Sequence, residues 1–402
     1  MSERLIKIFG IMSFYDDFRW ARRDNYNLIN FFRDDLEDDT KLLTHWLCYI
    51  TDRQMPFKII WDVGGFIISE LITEVKQNSS IDSLNPNNTN SFIQKEEHES
   101  KYYFISKSDA NELITDNYSK YIDNKKVKFK SRFFPSDYFS ILYTLTFLED
   151  YDFCLSKFIK RLYLQNKDKD DFIKKILFGL YLITYHDIGQ PNSSKLGDFN
   201  QNITSAKNRK DKIREILEDD KKFEKQYRTF DRSQIFKQKR AWCSLRDFLK
   251  SPEFKSYFRN ALAKEGLVDK DFCKLFSFQS LIQLELPGDV WNNNSKFRKC
   301  ILKGTEYENS NKPLNRILRE FYDQNSSTIK NGYPEQFDVT FDFVPRMCEQ
   351  NNCEICPIDK IENEHNDFYK VCLDNEKKFC PVALIGCNYK NNCIGKNKCK
   401  IA

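Results

Sequence analysis

The sequence contains little glycine and little proline. Only 12 of the 402 residues are glycine and 11 are proline, whereas glycine usually makes up about 7% of a globular chain. Because tight turns and positive φ angles depend on glycine, this scarcity argues against an all-β fold. It also argues against glycine-rich phosphate loops, and the motifs GxxxxGK[S/T], GxSxG, GxGxxG and HExxH do not occur.

The sequence also lacks a long apolar run. The longest nearly unbroken one, Ile176 to Tyr185, is about half of the ~20 residues that a membrane-spanning helix needs. Mean hydropathy is −0.65, and the first residues, MSERLIKIFG, lack the apolar core of a signal peptide. We therefore expect a soluble cytoplasmic protein without a membrane partner.

Positive charge is concentrated in one stretch of the chain. Lys and Arg number 64 and Asp and Glu 59, which gives a net charge of +5. Residues 202–250 alone hold 15 basic and 8 acidic residues, a balance of +7. Basic residues interleaved with aromatic ones are typical of nucleic-acid binding, although a solvated helix of mixed charge has the same pattern. The residues concerned are Lys207, Arg209, Lys210, Arg228, Arg232, Lys237, Lys239, Arg240, Arg246, Tyr227, Phe230, Phe236 and Trp242.

Cysteine is the residue type whose placement is most informative. Eight of the 13 cysteines fall in the C-terminal tail, where Cys353-x2-Cys356 is followed by Pro357. Four thiolates complete a tetrahedral zinc site or hold a [4Fe–4S] cluster, and eight suffice for two sites. Reduced or disulfide-linked structural thiols are the alternative. The predicted metal ligands are Cys348, Cys353, Cys356, Cys372, Cys380, Cys387, Cys393 and Cys399.

Helical periodicity dominates the rest of the chain and predicts a mostly α fold. Apolar residues recur at helical spacing in 42–50, 59–71 and 136–185, and a loop is expected at 192–204. The predicted parts are an N-terminal helical part at 1–75, a polar insertion or loop at 76–101, a helical domain at 102–345 and a cysteine-rich metal-binding tail at 346–402.

Two short motifs lie at predicted breaks between helices. Asp52-Arg53-Gln54 follows the first helix, and a glutamine at such a junction could fill a gap in a base stack. Leu286-Pro287-Gly288 interrupts a later helical region. A helix, a Pro-Gly hairpin and a second helix can grip a DNA backbone through exposed N–H groups. An ordinary polar turn and an ordinary helix–helix turn are the alternatives.

The order of these motifs resembles that of the helix-hairpin-helix DNA glycosylase superfamily. A helix–Gln turn–helix, a central LPG hairpin and a C-terminal cysteine loop are also the layout of endonuclease III and the adenine-mismatch glycosylases, whose loop binds a [4Fe–4S] cluster. The resemblance implies a helix-hairpin-helix glycosylase-like fold, a [4Fe–4S] cluster and a DNA partner. Zinc is the alternative metal, or the occupant of a second site.

The sequence departs from that superfamily where catalysis would occur. Val290 stands at the hairpin's second glycine, Asn292 near the lysine of bifunctional members, and Leu314 or Asn315 near the catalytic aspartate. A divergent branch is more similar, namely the alpha-glutamyl/putrescinyl thymine pyrophosphorylases, or amino acid:DNA transferases. The resemblance to that branch is carried by Leu43-Thr44-His45-Trp46, Asp52-Arg53-Gln54-Met55-Pro56 and Trp61-Asp62-Val63-Gly64-Gly65.

These resemblances imply a DNA-base-directed enzyme that flips a modified pyrimidine and either modifies or excises it. A transferase would also use a small amine or amino-acid donor. Candidate catalytic carboxylates are Asp289, Asp338 and Asp342. Candidate DNA-binding residues are Gln54, Arg53, Pro287, Gly288, Lys237 and Arg240. The alternative is a non-enzymatic nucleic-acid-binding module with a zinc-stabilised tail.

Overall fold

The computed structural model describes residues 3–10, 36–51, 64–81, 84–85, 93–95, 102–105, 128–129, 135–185, 199–233, 239–284, 295–329 and 332–339. Most of these residues are helical, which confirms the predicted mostly α class. Within the same ranges, no helix combines the length and the apolar character needed to cross a membrane.

The N-terminal and central helices are α1 (residues 3–10), α2 (Asp38–Thr51), α3 (Gly65–Asn78), α4 (Pro135–Leu148), α5 (Leu155–Asn166), α6 (Phe172–Tyr185), α7 (Phe199–Glu218) and α8 (Asp220–Ser233). The later helices are α9 (Lys239–Lys250), α10 (Pro252–Lys264), α11 (Asp269–Leu275), α12 (Phe278–Leu281), α13 (Ser295–Leu302), α14 (Leu314–Asn325) and α15 (Gln336–Val339). A short 3₁₀ turn, Glu149–Tyr151, follows α4.

Three short antiparallel strands were not predicted. They are β1 (Ile93–Lys95), β2 (Tyr102–Ile105) and β3 (Lys128–Phe129), in the order β1-β2-β3. Ile93 pairs with Phe104, and Phe104 pairs with Phe129. The region 76–101, expected to be a polar insertion or loop, therefore contains the end of α3 and one strand. The aromatic run of β2 was the available signal, because aromatic and β-branched residues favour strands.

Helix α7 corrects a second expectation. It begins at Phe199, inside the loop expected at 192–204. Ile213 and Leu217 are fully buried on its apolar face, and α7 packs against α4. Tertiary packing of such a face supplies most helical stability in proteins. The polar first turn of α7 is therefore helical despite its Asn-rich sequence.

The chain forms two compact units. The first comprises residues 1–26, 235–239 and 278–402, and the second comprises residues 27–234 and 240–277. Among the described residues, 36–51 and 64–75 thus belong with the middle of the chain, and 278–284, 295–329 and 332–339 belong with the N-terminal helix α1. The divisions that the sequence patterns suggest near residues 75, 101 and 345 stay predictions.

Helix α2 is the central element of the second unit. Of its 14 residues, 13 are buried, from Asp39 to Thr51, and it packs against α3, α4, α5 and α10. A helix that is covered on all sides needs few charges and many apolar residues. Its few polar side chains must therefore find partners inside the protein.

A glycine allows α5 and α6 to approach each other closely. A Cβ atom at Gly179 of α6 would lie 2.4 Å from Cδ1 of Leu162 on α5. Both faces are apolar, and Leu162 and Leu180 are fully buried. The close contact explains why a helix interior tolerates glycine at this position, despite its low helix propensity.

The first unit has its own apolar core. The aromatic ring of Phe9 on α1 lies 4.9 Å from that of Phe337 on α15 and 6.1 Å from that of Phe321 on α14, measured between centroids. Gly332 packs directly on α1, because a Cβ there would lie 2.6 Å from the carbonyl oxygen of Phe9. The remaining core members are Leu5, Ile8, Ile301, Leu302, Leu314, Ile317, Leu318, Tyr322, Ile329 and Tyr333.

Candidate functional site

Most of the predicted site residues lie outside the residues that the structure describes. These are Arg53, Gln54, Lys237, Pro287, Gly288, Asp289, Asp342 and the cysteines Cys348, Cys353, Cys356, Cys372, Cys380, Cys387, Cys393 and Cys399. Asp338 belongs to α15 through its backbone, and its side chain is outside the description as well.

Helices on both sides of the two motifs that are predicted to bind DNA are described. Helix α2 ends at Thr51, directly before Asp52-Arg53-Gln54, and α3 begins at Gly65. On either side of Leu286-Pro287-Gly288, α12 ends at Leu281 and α13 begins at Ser295. Each motif is thus preceded and followed by helix, as the sequence predicts.

Arg240, a predicted DNA-binding residue, lies part-buried at the start of α9. Its Nη1 donates a hydrogen bond to the carbonyl oxygen of Ile50 in the last turn of α2. A cation at a helix C-terminus satisfies an unpaired carbonyl and interacts favourably with the helix dipole. Arg240 therefore holds the end of α2 that leads into the Asp52-Arg53-Gln54 segment.

Three other basic residues of the 202–250 stretch are buried. Arg209 is 2% exposed, and its guanidinium donates to the carbonyl oxygens of Leu182 and Ile183 at the end of α6. Lys210 lies 2.7 Å from a carboxylate oxygen of Asp150. Arg246 is 2% exposed and donates to the carboxylate of Asp247. These cations are engaged inside the protein, so the stretch is not one continuous basic face.

Three of the four aromatic residues named for this stretch, Tyr227, Phe230 and Trp242, are also buried, and Phe236 lies outside the described residues. Tyr227 and Phe230 on α8 lie with ring centroids 5.8 and 4.8 Å from that of Phe178 on α6. Trp242 is 4% exposed, and the guanidinium of Arg246 lies 5.4 Å from its ring centroid. The interleaved aromatic residues therefore form core rather than a stacking surface, because a sequence pattern does not show which side of a helix is covered.

A buried polar cluster joins α2 to α9, and sequence reasoning missed it. The imidazole of His45 has Nδ1 2.9 Å from the Ser244 hydroxyl and Nε2 3.3 Å from Oδ2 of Asp247. The Tyr49 hydroxyl donates to the same Oδ2 at 2.7 Å, and Arg246 donates to Oδ1 at 3.0 Å. The side chains of His45 and Asp247 have no exposed surface. We call these five residues the His45 cluster.

The His45 cluster resembles a Ser-His-Asp array in composition, but its arrangement favours a structural role. A nucleophile must reach its substrate, whereas Ser244 is completely buried. The aromatic rings of Phe248 and Phe254 also cover the imidazole, with centroids 4.9 and 4.1 Å from its own. The hydrogen bonds therefore bind α2 to α9 in one geometry. The spacing of His45 with Tyr49 and of Ser244 with Asp247 was the available signal, since each pair shares one helix face.

The position that the family resemblance assigns to a catalytic aspartate is now visible. Asn315 lies in the first turn of α14 and is 5% exposed. Its Oδ1 atom has no hydrogen-bond partner among the described residues. An amide carries no negative charge, so Asn315 cannot act as the carboxylate base or nucleophile of the family pattern.

No group of three or more His, Cys, Asp or Glu residues within the described ranges is arranged to hold a metal ion. Cys154 is one of the described thiols. Burial, followed by the negative charge of Asp39, raises the pKa of its thiol to about 11. A protonated thiol is a poor metal ligand at neutral pH, so the tail cysteines remain the predicted ligands.

Comparisons with known proteins give no relative. No family model, no curated protein and no solved structure matches the chain, so its function is inferred from its own residues.

Proposed function

We propose that the protein is a DNA-base-directed enzyme of the helix-hairpin-helix glycosylase type. The observation that supports the proposal is that helices are described before and after both the glutamine motif and the LPG motif, and that Arg240 and the His45 cluster hold α2, which ends directly before the first. An enzyme that extrudes a base from a duplex must insert a side chain into the base stack, and that side chain has to be carried by a rigid element. In this proposal Gln54 fills the gap, Arg53 binds beside it, and Pro287 and Gly288 bind backbone phosphate.

The reaction is either transfer or excision. In a transferase, the nitrogen of an amine or amino-acid donor would form a bond to the methylene carbon of an activated pyrimidine, and the leaving group on that carbon would depart with its electron pair. In a glycosylase, a carboxylate would stabilise the developing sugar cation or activate water. Asp289, Asp338 and Asp342 are the carboxylates proposed for either task, with Asn315 excluded by its chemistry.

Mass spectrometry of reacted DNA tests the proposal. The purified protein would be incubated with unmodified, hydroxymethylated and pyrophosphorylated hydroxymethyl-pyrimidine duplexes, with and without amines and amino acids. We expect a base adduct or a released base on a modified duplex only. The control is the Gln54→Ala variant, in which we expect a loss of rate without a loss of fold. The absence of both products on all duplexes would contradict the proposal.

A second candidate is a non-enzymatic nucleic-acid-binding module with a zinc-stabilised tail. The specific observation in its favour is Asn315, which stands where the family pattern has a carboxylate. This candidate predicts DNA or RNA binding with steep salt dependence and no change in base mass. The same incubations therefore separate the two candidates.

The metal in the tail provides an independent test. We propose that four of the eight tail cysteines hold a [4Fe–4S] cluster that stabilises the fold of the tail. Zinc is the alternative metal, or the occupant of a second site. Anaerobically purified protein should be brown and contain iron and acid-labile sulfide. Colourless protein with stoichiometric zinc would instead favour the binding module.

A further inference from the structure

A groove in the second unit has exposed basic side chains, most of them in the 202–250 stretch, and lies outside the glutamine and LPG motifs. Its volume is 970 Å³, and it lies between α8 and the turn that joins α5 to α6. It is lined by Lys169, Asp220, Lys221, Glu224, Lys225, Arg228 and Thr229. We call it the α8 groove.

The two acidic residues of the α8 groove are already occupied. Oδ1 of Asp220 accepts a hydrogen bond of 3.1 Å from Nε2 of Gln165. The carboxylate of Glu224 lies 2.9 Å from Nζ of the buried Lys175 and 3.4 Å from Nε of Arg228. Burial raises the pKa of Glu224, but its hydrogen bonds with Lys175 and Arg228 outweigh this effect, and the net pKa lies below the ordinary value. Glu224 is therefore ionised and paired within the protein, where it shares Lys175 with Asp171, whose Oδ1 lies 3.0 Å from Nζ of Lys175.

Two basic residues of the groove are not neutralised in this way. The ammonium groups of Lys221 and Lys225 are exposed, and within the described part of the chain neither pairs with a carboxylate. The two lysines are four residues apart on α8, so their like charges lie on neighbouring turns of one face and destabilise the helix. Such an arrangement is relieved when an anion binds between them.

The groove wall is rigid, because the opposite face of α8 is core. The rings of Phe223 and Tyr227 lie 5.1 and 5.8 Å from that of Phe178. Below them, Nζ of Lys175 lies 5.2 Å from the ring centroid of Tyr227 and also pairs with Glu224. The exposed cations therefore extend from a fixed helix, which limits the ordering cost when a ligand binds.

We propose that the α8 groove binds the phosphodiester backbone of DNA. From Lys221 to Arg228 the helix rises about 10 Å, which is close to three steps of ~3.4 Å between successive phosphates of one strand, measured along the duplex axis. Lys169, on the facing turn, adds a cation at the opposite edge. The inference rests on the proposed function, and it adds a contact surface outside the glutamine and LPG motifs.

Salt-dependent binding of a short labelled duplex tests this inference. In the double variant Lys221→Gln, Lys225→Gln, two phosphate contacts are lost. We expect about tenfold weaker binding at low salt and a slope of log affinity against log salt that is shallower by about 2. The matched control is Lys264→Gln, Lys270→Gln, which removes the same charge from exposed positions of the same unit outside the groove. This control should retain wild-type affinity and slope.

Three other outcomes overturn the inference, and they are distinguishable. Equal affinity and equal slope in the two double variants would show that the groove is not a DNA contact, while the proposed function would stand. Inorganic phosphate could protect Lys221 and Lys225 from amine acylation while the affinity for DNA stays unchanged. That outcome would assign the groove to small anions. Failure of the wild-type protein to bind any duplex at low salt would remove the proposed function and this inference together.

Discussion

Nε2 of His45 lies 3.3 Å from Oδ2 of Asp247, and this contact joins α2 to α9. The two residues are 202 positions apart in the chain. Asp247 also accepts hydrogen bonds from Tyr49 and Arg246. One carboxylate thus organises the His45 cluster and compensates the buried guanidinium beside it. Asp247 of α9 therefore helps to fix the position of α2, together with the helices that pack against α2.

Substitution Asp247→Asn should strongly destabilise the second unit. The buried cation of Arg246 would lose the negative charge of Asp247 beside it, and removing one partner of a buried ion pair costs about 3–5 kcal/mol. Urea denaturation followed by circular dichroism measures the free energy of unfolding. The control is Asp269→Asn, whose pair with Arg259 is exposed and should contribute less than about 1 kcal/mol. Equal losses of unfolding free energy in the two variants would show that the His45 cluster does not stabilise the second unit.

Substitution Arg209→Met should destabilise the end of α6. The carbonyl oxygens of Leu182 and Ile183 would lose a charged donor inside the protein, and such a loss costs about 2 kcal/mol. Thermal unfolding of Arg209→Met and Arg214→Met measures the difference. Arg214 forms an exposed pair with Asp150, so its substitution should cost less than about 1 kcal/mol. A larger loss of stability in Arg214→Met than in Arg209→Met would show that burial of the arginine does not determine the loss.

Substitution Gly332→Ala should destabilise the first unit. The new methyl group would meet the backbone carbonyl of Phe9 at 2.6 Å, and backbone cannot move aside as a side-chain end can. Overpacking of this kind costs about 1–3 kcal/mol. Gly10→Ala is the control, because a Cβ there meets nothing within 4 Å and alanine improves helix propensity by up to about 1 kcal/mol. Calorimetric unfolding of both variants should show opposite shifts, and a neutral Gly332→Ala would contradict the close packing of residue 332 on α1.

The Cys154 thiol should react slowly at neutral pH. Burial, followed by the charge of Asp39, raises its pKa to about 11, and only the thiolate is nucleophilic. The rate of iodoacetamide alkylation, resolved by peptide mass spectrometry, should rise with pH up to about 11. In denaturant the alkylation rate should instead level off near pH 9, because the ordinary pKa of the thiol is 9.0. Identical pH profiles in the two states would show that the environment of Cys154 does not perturb it.

The same pKa shift has a consequence for stability. A folded-state pKa above the unfolded value means that the native state binds the proton more tightly. The stability that this tighter proton binding contributes is fully present below the unfolded pKa of 9.0. It is lost as the pH rises toward the folded-state pKa of about 11. The contribution of Cys154 to unfolding free energy should therefore decline in alkaline solution, and a Cys154→Ser variant should lack that decline.

Local patterns predicted the helices but not their partners. The apolar spacing of 42–50 and 136–185 is a property of neighbouring residues, so α2, α4, α5 and α6 follow from it. The His45 cluster requires residues 45 and 49 to meet residues 244 and 247, and no local motif encodes that meeting. The strands β1 to β3 are likewise stabilised by pairing across the chain.

The charge of residues 202–250 illustrates a different difficulty. Counting basic residues gives their number but not their exposure. Arg209, Arg246 and Lys210 are each buried with an acceptor, while Lys221 and Lys225 face solvent. The difference follows from which side of each amphipathic helix packs on the core. The carboxylates and cysteines of the candidate site depend on residues beyond the described ranges and remain predictions.

The packing of α1 on the C-terminal helices constrains the order of events during synthesis. Phe9 is synthesised more than 300 residues before its partners Phe321 and Phe337. The second unit lies between them in the sequence and can fold while α1 still exposes Leu5, Ile8 and Phe9. Because α1 completes its core only with these later residues, we expect its apolar face to stay uncovered until Phe321 and Phe337 have been synthesised.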